Sequence, residues 1–299
     1  MLRVPAFLFA ASLLGWSFAG QAMAAAGDSD KDIPRITALG GSCPGCELSG
    51  KKLTGAQIEG GNFNKATFIG CDLRGASITG SSFVGSDFTR ADLRSASVEG
   101  ANFTNALFHS AQLDGLSADG AILVGADLSH ARLTSAQLSG ANLAKAIMVE
   151  ANMQNAELDA AILAGANAQR ANFTNAEMSN AVMAKGDFAG AIFRNASLDS
   201  AVMVGGKFDG ADFHGASLDQ AMLQGVDLSR ARGLTQDMLE EACADRNTQL
   251  PRGLSAKNCY NINVKIPHIT VHVSMPHVPA PPKPPRAPKP PPAPKWPWR

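Results

Sequence analysis

From Leu48 to Leu228 every fifth residue is large and apolar, with Ala118 and Ala168 as the exceptions, and the register holds over thirty-seven consecutive positions. Two residues before each of these stands a small residue, most often Ala, as in Ala91 with Leu93, Ala101 with Phe103 and Ala141 with Leu143. A period of five matches neither the 3.6 of an α-helix nor the 2.0 of a strand. Self-similarity at a fixed period indicates stacked repeats, each too small to bury its apolar face without a neighbour above and below. The pattern predicts a solenoid whose small and large positions both point inward.

The phenylalanines give the number of units per turn, because like side chains stack in successive coils of a β-solenoid. Phe occupies eleven large positions, and pairs of them are separated by twenty residues seven times, by five residues five times, by fifteen four times and by ten never. Four units per turn follows, with Phe63, Phe83 and Phe103 on one wall and Phe173, Phe193 and Phe213 on another. At a strand spacing of about 4.8 Å, thirty-seven units make about nine coils and a rod roughly 43 Å long. Two defects interrupt the pattern. Leu116 and Ala118 exchange the large and small roles, whereas Ala166 and Ala168 are both small and predict a thin spot in the core. The outward residues are rich in Asp, Asn, Ser, Thr, Gln and Gly, which suit tight corners.

Units such as Ala91-Asp92-Leu93-Arg94-Ser95 and Ala141-Asn142-Leu143-Ala144-Lys145 resemble those of the pentapeptide-repeat family, and the resemblance covers about 185 residues. It implies an all-β solenoid, a right-handed quadrilateral β-helix, and it implies no catalytic residues and no cofactor. Family members of known activity include cytoplasmic DNA mimics that bind gyrase.

The N-terminus points to a different compartment. Arg3 precedes an apolar run from Val4 to Phe18, and Ala22-Met23-Ala24 supplies the small-x-small pattern of a signal-peptidase site. The chain divides on this reading into a signal peptide (1–24), a linker (25–42), the repeat β-helix (43–232), a helical cap (233–260) and a basic, Pro-rich disordered tail (261–299). Localisation is expected to be periplasmic or secreted, bacterial in type. A DNA-mimicking role is disfavoured by that address, and nucleic acid is not an expected partner. Charge agrees: Leu48 to Arg230 carries eighteen acidic and thirteen basic residues, a mild net of −5.

The chain's formal charge of zero is a sum of opposites, because residues 261–299 hold six Lys/Arg and no Asp or Glu. Sorting the rod at twenty residues per turn places Glu59, Glu99, Asp119, Asp159, Asp199 and Asp219 in one outward column, interrupted by Thr79, Ser139 and Ser179. This column is a candidate binding stripe for cations or a basic partner, weighed against a plain solvated face. A Ca²⁺ site needs six to eight converging oxygens, and one column does not supply them, so no metal site is assigned.

Five cysteines in an exported chain suggest disulfides with one thiol left over. Cys43 and Cys46 lie just before the repeats, Cys243 and Cys259 just after them, and pairing within each end would staple the places where a solenoid frays. Redox activity or half a zinc site are the alternatives for the CxxC. Cys71 occupies a small inward slot as a buried thiol. Thr235 to Cys243 reads as a short helix capped by Thr235, with Leu234, Met238, Leu239 and Ala242 on its apolar side. His109, His130 and His214 are expected on separate coils without converging, and the tail's His268, His272 and His277 lack further ligands.

The tail is the least repetitive segment. Apolar residues alternate at 262, 264 and 266 and again at 269, 271 and 273, as in an edge or partner-binding strand. Thirteen of the seventeen prolines follow Tyr260, and the nineteen residues from Pro279 to Pro297 reach roughly 60 Å as polyproline II. Lys283, Arg286, Lys289, Lys295, Trp296, Trp298 and Arg299 are candidate contacts for an anionic interface. The sequence thus points to a non-enzymatic exported scaffold or interaction protein, whose tail meets an anionic membrane surface or peptidoglycan, or whose partner is a protein; a homodimer stays open. The alternative is an inhibitor or effector imitating a polyanion.

Overall fold

The computed structural model describes residues 42–259. The expected signal peptide, the linker up to residue 41, Tyr260 of the expected cap and the tail lie outside the described residues. Within them, the five-residue units of the repeat share one conformation, a small inward residue, an outward residue in a β-bridge, a large inward residue and a two-residue turn, except that after Ile58 the Gly61 N–H donates to Ser81 Oγ at 3.0 Å in place of the turn bond. The outward residue pairs in parallel with the one twenty positions later, as Gln57 with Ser77, Ser77 with Ser97 and Ser97 with Ser117. Four units therefore close one coil, as the phenylalanine spacing requires.

Backbone polar groups are satisfied largely between coils. Around Leu53, for example, the Leu53 N–H donates to Asp72 O at 2.7 Å, the Gly55 N–H to Arg74 O at 2.9 Å and the Ser77 N–H to Ala56 O at 2.8 Å, while the Ala56 N–H closes the turn onto Leu53 O at 3.0 Å. The corner residue is left-handed in every unit: from Gly45 to Gly225 each fifth residue has φ between 54° and 70°. Positive φ at the third turn residue alone is the signature of a type II turn, which explains the supply of Gly and Asn there. Asn155, Asn175 and Asn195 stack at one corner and join their amides at 3.0 and 3.2 Å.

Inside, the aromatic ladders form as spaced. Phe63, Phe83 and Phe103 stack at 5.4 and 5.2 Å, Phe68, Phe88 and Phe108 at 4.6 and 5.0 Å, and Phe173, Phe193 and Phe213 at 5.2 and 5.1 Å. The Phe63 and Phe68 ladders meet edge to face, the arrangement favoured by ring quadrupoles, whereas the Phe173 and Phe188 ladders meet at tilted angles. A cavity of about 10 Å³ lies at the Leu116/Ala118 defect, lined by Leu93, Val98, Phe103 and Leu138 among others. Leu116 thus does not fully replace the volume missing at Ala118. Above Ala168, the rings of Phe188 and Phe208 stack at 5.1 Å and lie over Gly186 and Gly206, where a β-carbon would overlap them. Gly186 and Gly206, two of the three glycines in small slots, are a packing requirement of those rings.

After Arg230 the helix is shorter than the sequence pattern suggests. α1 spans Gln236–Leu239, with the Thr235 hydroxyl accepting from the Met238 N–H at 3.4 Å. Cys243 is not helical. It belongs to strand β1 (Cys243–Ala244), because its N–H donates to Ala221 O at 2.8 Å and its carbonyl accepts from Leu223 N–H at 2.7 Å. The solenoid ladder captures this segment, and β2 (Lys257–Asn258) stacks on it in parallel. Leu239 and Ala242 are fully buried in the core cluster, with Leu234 and Met238 packed against it.

Candidate functional site

A filled core confines chemistry to the outer surface. The fourth residue of each unit decides much of that surface, because its N–H receives no backbone acceptor in the pattern described above. Side chains take over. In one mode an Asp or Asn two residues earlier accepts it, as Asn102 Oδ1 from Thr104 N–H at 3.0 Å and Asp127 Oδ1 from Ser129 N–H at 2.9 Å. In the other, the acceptor sits directly below on the preceding coil.

The acidic column follows the second mode. Asp119 Oδ1 accepts from Ser139 N–H at 2.9 Å, Asp159 Oδ1 from Ser179 N–H at 2.9 Å and Asp199 Oδ1 from Asp219 N–H at 3.1 Å. Glu99 accepts from the Ser117 hydroxyl at 3.1 Å, and Asp199 also accepts from Ser217. Glu59 and Asp219 are exposed. Three of the six candidate carboxylates thus supply acceptors to corner amides, leaving their second oxygens outward. The tail candidates Lys283, Arg286, Lys289, Lys295, Trp296, Trp298 and Arg299 lie outside the described residues.

A second charged surface was not singled out by the linear pattern. An open groove of about 820 Å³ runs over Gly75, Ser95, Gly115 and Ser135 and is lined by Arg74, Arg94, Asp114 and Arg132. Its cations are paired: Arg74 with Asp72 at 2.7 Å, Arg94 with Asp92 at 2.6 Å and Arg132 with Asp114 at 3.3 Å. The side-chain hydrogen bond from Arg74 holds the Asp72 carboxyl well below the usual range, and that from Arg94 lowers Asp92. The groove is a ladder of closed ion pairs. Higher in the same column Asp212 is the one buried acid among the described residues, 3% exposed. It meets Arg194 Nε at 2.8 Å and His214 Nδ1 at 2.5 Å. Burial alone would raise its pKa, but the hydrogen bonds from His214 and Arg194 outweigh it and hold the carboxyl at about 2.

Cys43 and Cys46 are disulfide-bonded with Cα atoms 5.5 Å apart, as are Cys243 and Cys259 at 5.4 Å. Cys71 is a buried thiol that donates to Leu48 O at 2.6 Å. One histidine expectation is corrected: His109 and His130 do converge, with ring centroids 5.3 Å apart. They stand twenty-one residues apart, so the last two residues of corners on consecutive coils become neighbours. His130 continues to Glu150 at 3.3 Å, and Glu150 to Arg170 at 2.8 Å. Among the described residues no group of three or more His, Cys, Asp or Glu is arranged to hold a metal ion.

A parallel coil of four five-residue units, with a Phe/Leu/Ala core and outward polar corners, defines a repeat β-helix that presents surfaces. The chain belongs to the pentapeptide-repeat family: the model for pentapeptide repeats matches eight copies, over residues 52–90, 86–125, 111–148, 121–159, 151–188, 176–215 and 196–232. Its fold is the right-handed β-helix of its structural neighbours. HetL from the cyanobacterium Nostoc sp. strain PCC 7120, a pentapeptide repeat protein involved in heterocyst differentiation regulation, is 24% identical, covers 75% of this chain and 98% of its own, and superposes with a TM-score of 0.64. A trypsin-treated form of QnrB1, a plasmid-mediated fluoroquinolone resistance protein, is 19% identical over 71% of this chain and 90% of its own, with a TM-score of 0.35. A pentapeptide repeat protein of the Arabidopsis thaliana thylakoid lumen is 31% identical over 34% of this chain and 68% of its own, with a TM-score of 0.20. No curated protein matches the chain.

Proposed function

We propose that this chain is an exported, non-enzymatic interaction scaffold: a rod of about nine right-handed coils, closed at its C-terminal end by α1, that is held to the cell envelope by its basic Pro/Trp tail. The observation that carries the reading is the division of labour along the chain. The described core is filled by side chains such as Phe83, Phe193 and Leu223, each fully buried, which leaves no room for a substrate inside. Residues 261–299 concentrate cationic and aromatic residues, with six Lys/Arg, two Trp and no acid. Such a segment suits lipid headgroups or an anionic wall polymer. Export rests on Arg3, the apolar run after it and Ala22-Met23-Ala24.

Removal of residues 1–24 leaves Trp296 and Trp298 as the only tryptophans, so Trp emission reports the tail alone. Titration of the exported chain with anionic vesicles and with purified peptidoglycan is expected to blue-shift the emission and to carry the protein into the pellet with one of them. An unchanged spectrum and no pelleting with either would refute the tether.

A further inference from the structure

One face of the rod differs from the other three. Its outward bridge residues on successive coils are Ile122, Asn142, Ile162, Val182, Val202 and Met222, each at least part-exposed and Ile122 37% exposed. At the equivalent places the next face carries Asp127, Ile147, Asn167, Asp187 and Lys207, the third Arg132, Asn152, Asn172, Ile192 and Asp212, and the fourth Gln137, Glu157, Glu177, Ser197 and Ser217, so that only the first keeps apolar residues on four successive coils, from Ile162 to Met222. The corners bordering the apolar stripe are of opposite charge. Lys145 and Lys185 stand on one, and Asp119, Asp159, Asp199 and Asp219 on the other. Neither lysine has an ion-pair partner among the described residues, whereas Arg74, Arg94, Arg132, Arg170 and Arg194 all do.

We propose that this face is a self-association surface, on which a second copy of the chain seats in parallel about a two-fold axis running along the coil. The charges select that arrangement. An axis parallel to the coil sets the lysine corner of each copy against the aspartate corner of the other, whereas an axis across the face, with the rods antiparallel, sets lysine against lysine and aspartate against aspartate. Parallel seating also brings each stripe residue opposite its own counterpart, Ile162 to Ile162 and Val182 to Val182. With twenty residues per coil and coils about 4.8 Å apart, Lys145 of one copy stands about 3 Å in height from Asp159 of the other, well within a lysine's reach. Lys185 and Asp199 repeat the relation two coils on.

The aspartates remain available, since the amides of Ser179 and Asp219 occupy only one oxygen each of Asp159 and Asp199. Six coils of about 4.8 Å, with the face and its corner side chains about 20 Å across, give about 600 Å² per copy, and the resulting total of about 1,200 Å² reaches the lower end of stable interfaces. A weak dimer is therefore expected, with a Kd on the order of 10–100 µM and loosened by salt.

Sedimentation velocity of the full chain across roughly 5 to 500 µM tests the proposal. Wild type is expected to shift from monomer to dimer. Ile162→Asn with Val182→Asn, which places in the stripe the residue already present at Asn142, is expected to stay monomeric, as are Lys145→Glu with Lys185→Glu and Asp159→Lys with Asp199→Lys. Mixing the last two double variants restores opposite charges along both borders and is expected to restore a dimer at least as tight as wild type. A monomer at every concentration, a dimer indifferent to the asparagine substitutions, or dimers of the charge variants that the mixture does not strengthen would each overturn the proposal.

Discussion

Gly206 occupies a slot filled by Ala in most units, and its replacement by Ala tests the packing of the aromatic wall directly. A β-carbon there would come within 2.8 Å of Phe208 Cε2 and 3.0 Å of Met203 O, both inside the 3.4 Å at which carbon contacts become comfortable. Phe208 is fully buried and stacked at 5.1 Å on Phe188, so its ring cannot swing aside without moving the ring below. Overpacking of this kind costs about 1–3 kcal/mol, and the reduced freedom of the unfolded chain returns about 0.4–1 kcal/mol. Gly206→Ala should therefore lose about 1–2 kcal/mol. Urea unfolding of the full chain by far-UV circular dichroism should show a lower midpoint. Phe208→Leu, which restores the Ala/Leu pairing used at Ala136 and Leu138, should remove most of the penalty, so that the double variant is more stable than the sum of the singles by on the order of 1 kcal/mol. If Gly206→Ala matched wild type, or if the two substitutions were additive, the ring would not be pinned as described.

Ala160 is held at φ 54°, where a β-carbon costs about 1–2 kcal/mol; Ala160→Gly should raise stability by about 0.5–1 kcal/mol in the same unfolding assay. Gly140→Ala, with φ 65° and open space around the new carbon, should lose about 1 kcal/mol from backbone strain alone. Burial pushes the Cys71 thiol up to about 11, so the native protein at pH 8 should leave it unlabelled by iodoacetamide, and mass spectrometry should find it alkylated only after unfolding. Asp212 has its folded pKa lowered from 3.8 to about 2; its contribution, on the order of 2 kcal/mol, should be complete above about pH 5 and disappear as pH falls through 2. The stability gap between wild type and Asp212→Asn, followed against pH, should narrow over that window, and a gap that stayed constant would remove the carboxylate as its cause.

The period of five and the twenty-residue coil were legible because each side chain's fate in a solenoid depends on its phase alone. Phe63 and Phe83 could be paired without knowing a single dihedral angle. What depends on the corner was harder to read. The roles of Asp119, Asp159 and Asp199 as amide acceptors follow from the fourth N–H of each unit being left without a backbone partner, a consequence of the turn's hydrogen bonding. His109 and His130 meet because two corner residues on adjacent coils lie close even when their columns differ. The helix after Arg230 is shorter than its pattern because Ala242 and Cys243 carry helix-compatible side chains, while Ala221 and Leu223 offer Cys243 a ladder. The cavity at Ala118 depends on side-chain placement that the pattern does not carry: Leu116 enters from the neighbouring slot and leaves a gap beside it.

The central claim is that the rod is a carrier and the tail the anchor, and fractionation of cells expressing either the whole chain or one ending at Tyr260 tests it most directly. The whole chain should be recovered with the envelope pellet and be released by high salt, whereas the shortened chain should appear in the soluble exported fraction in equal amount. Equal retention of both in the pellet would place the anchor on the rod, and finding the whole chain in the cytoplasm with its first twenty-four residues intact would contradict the account.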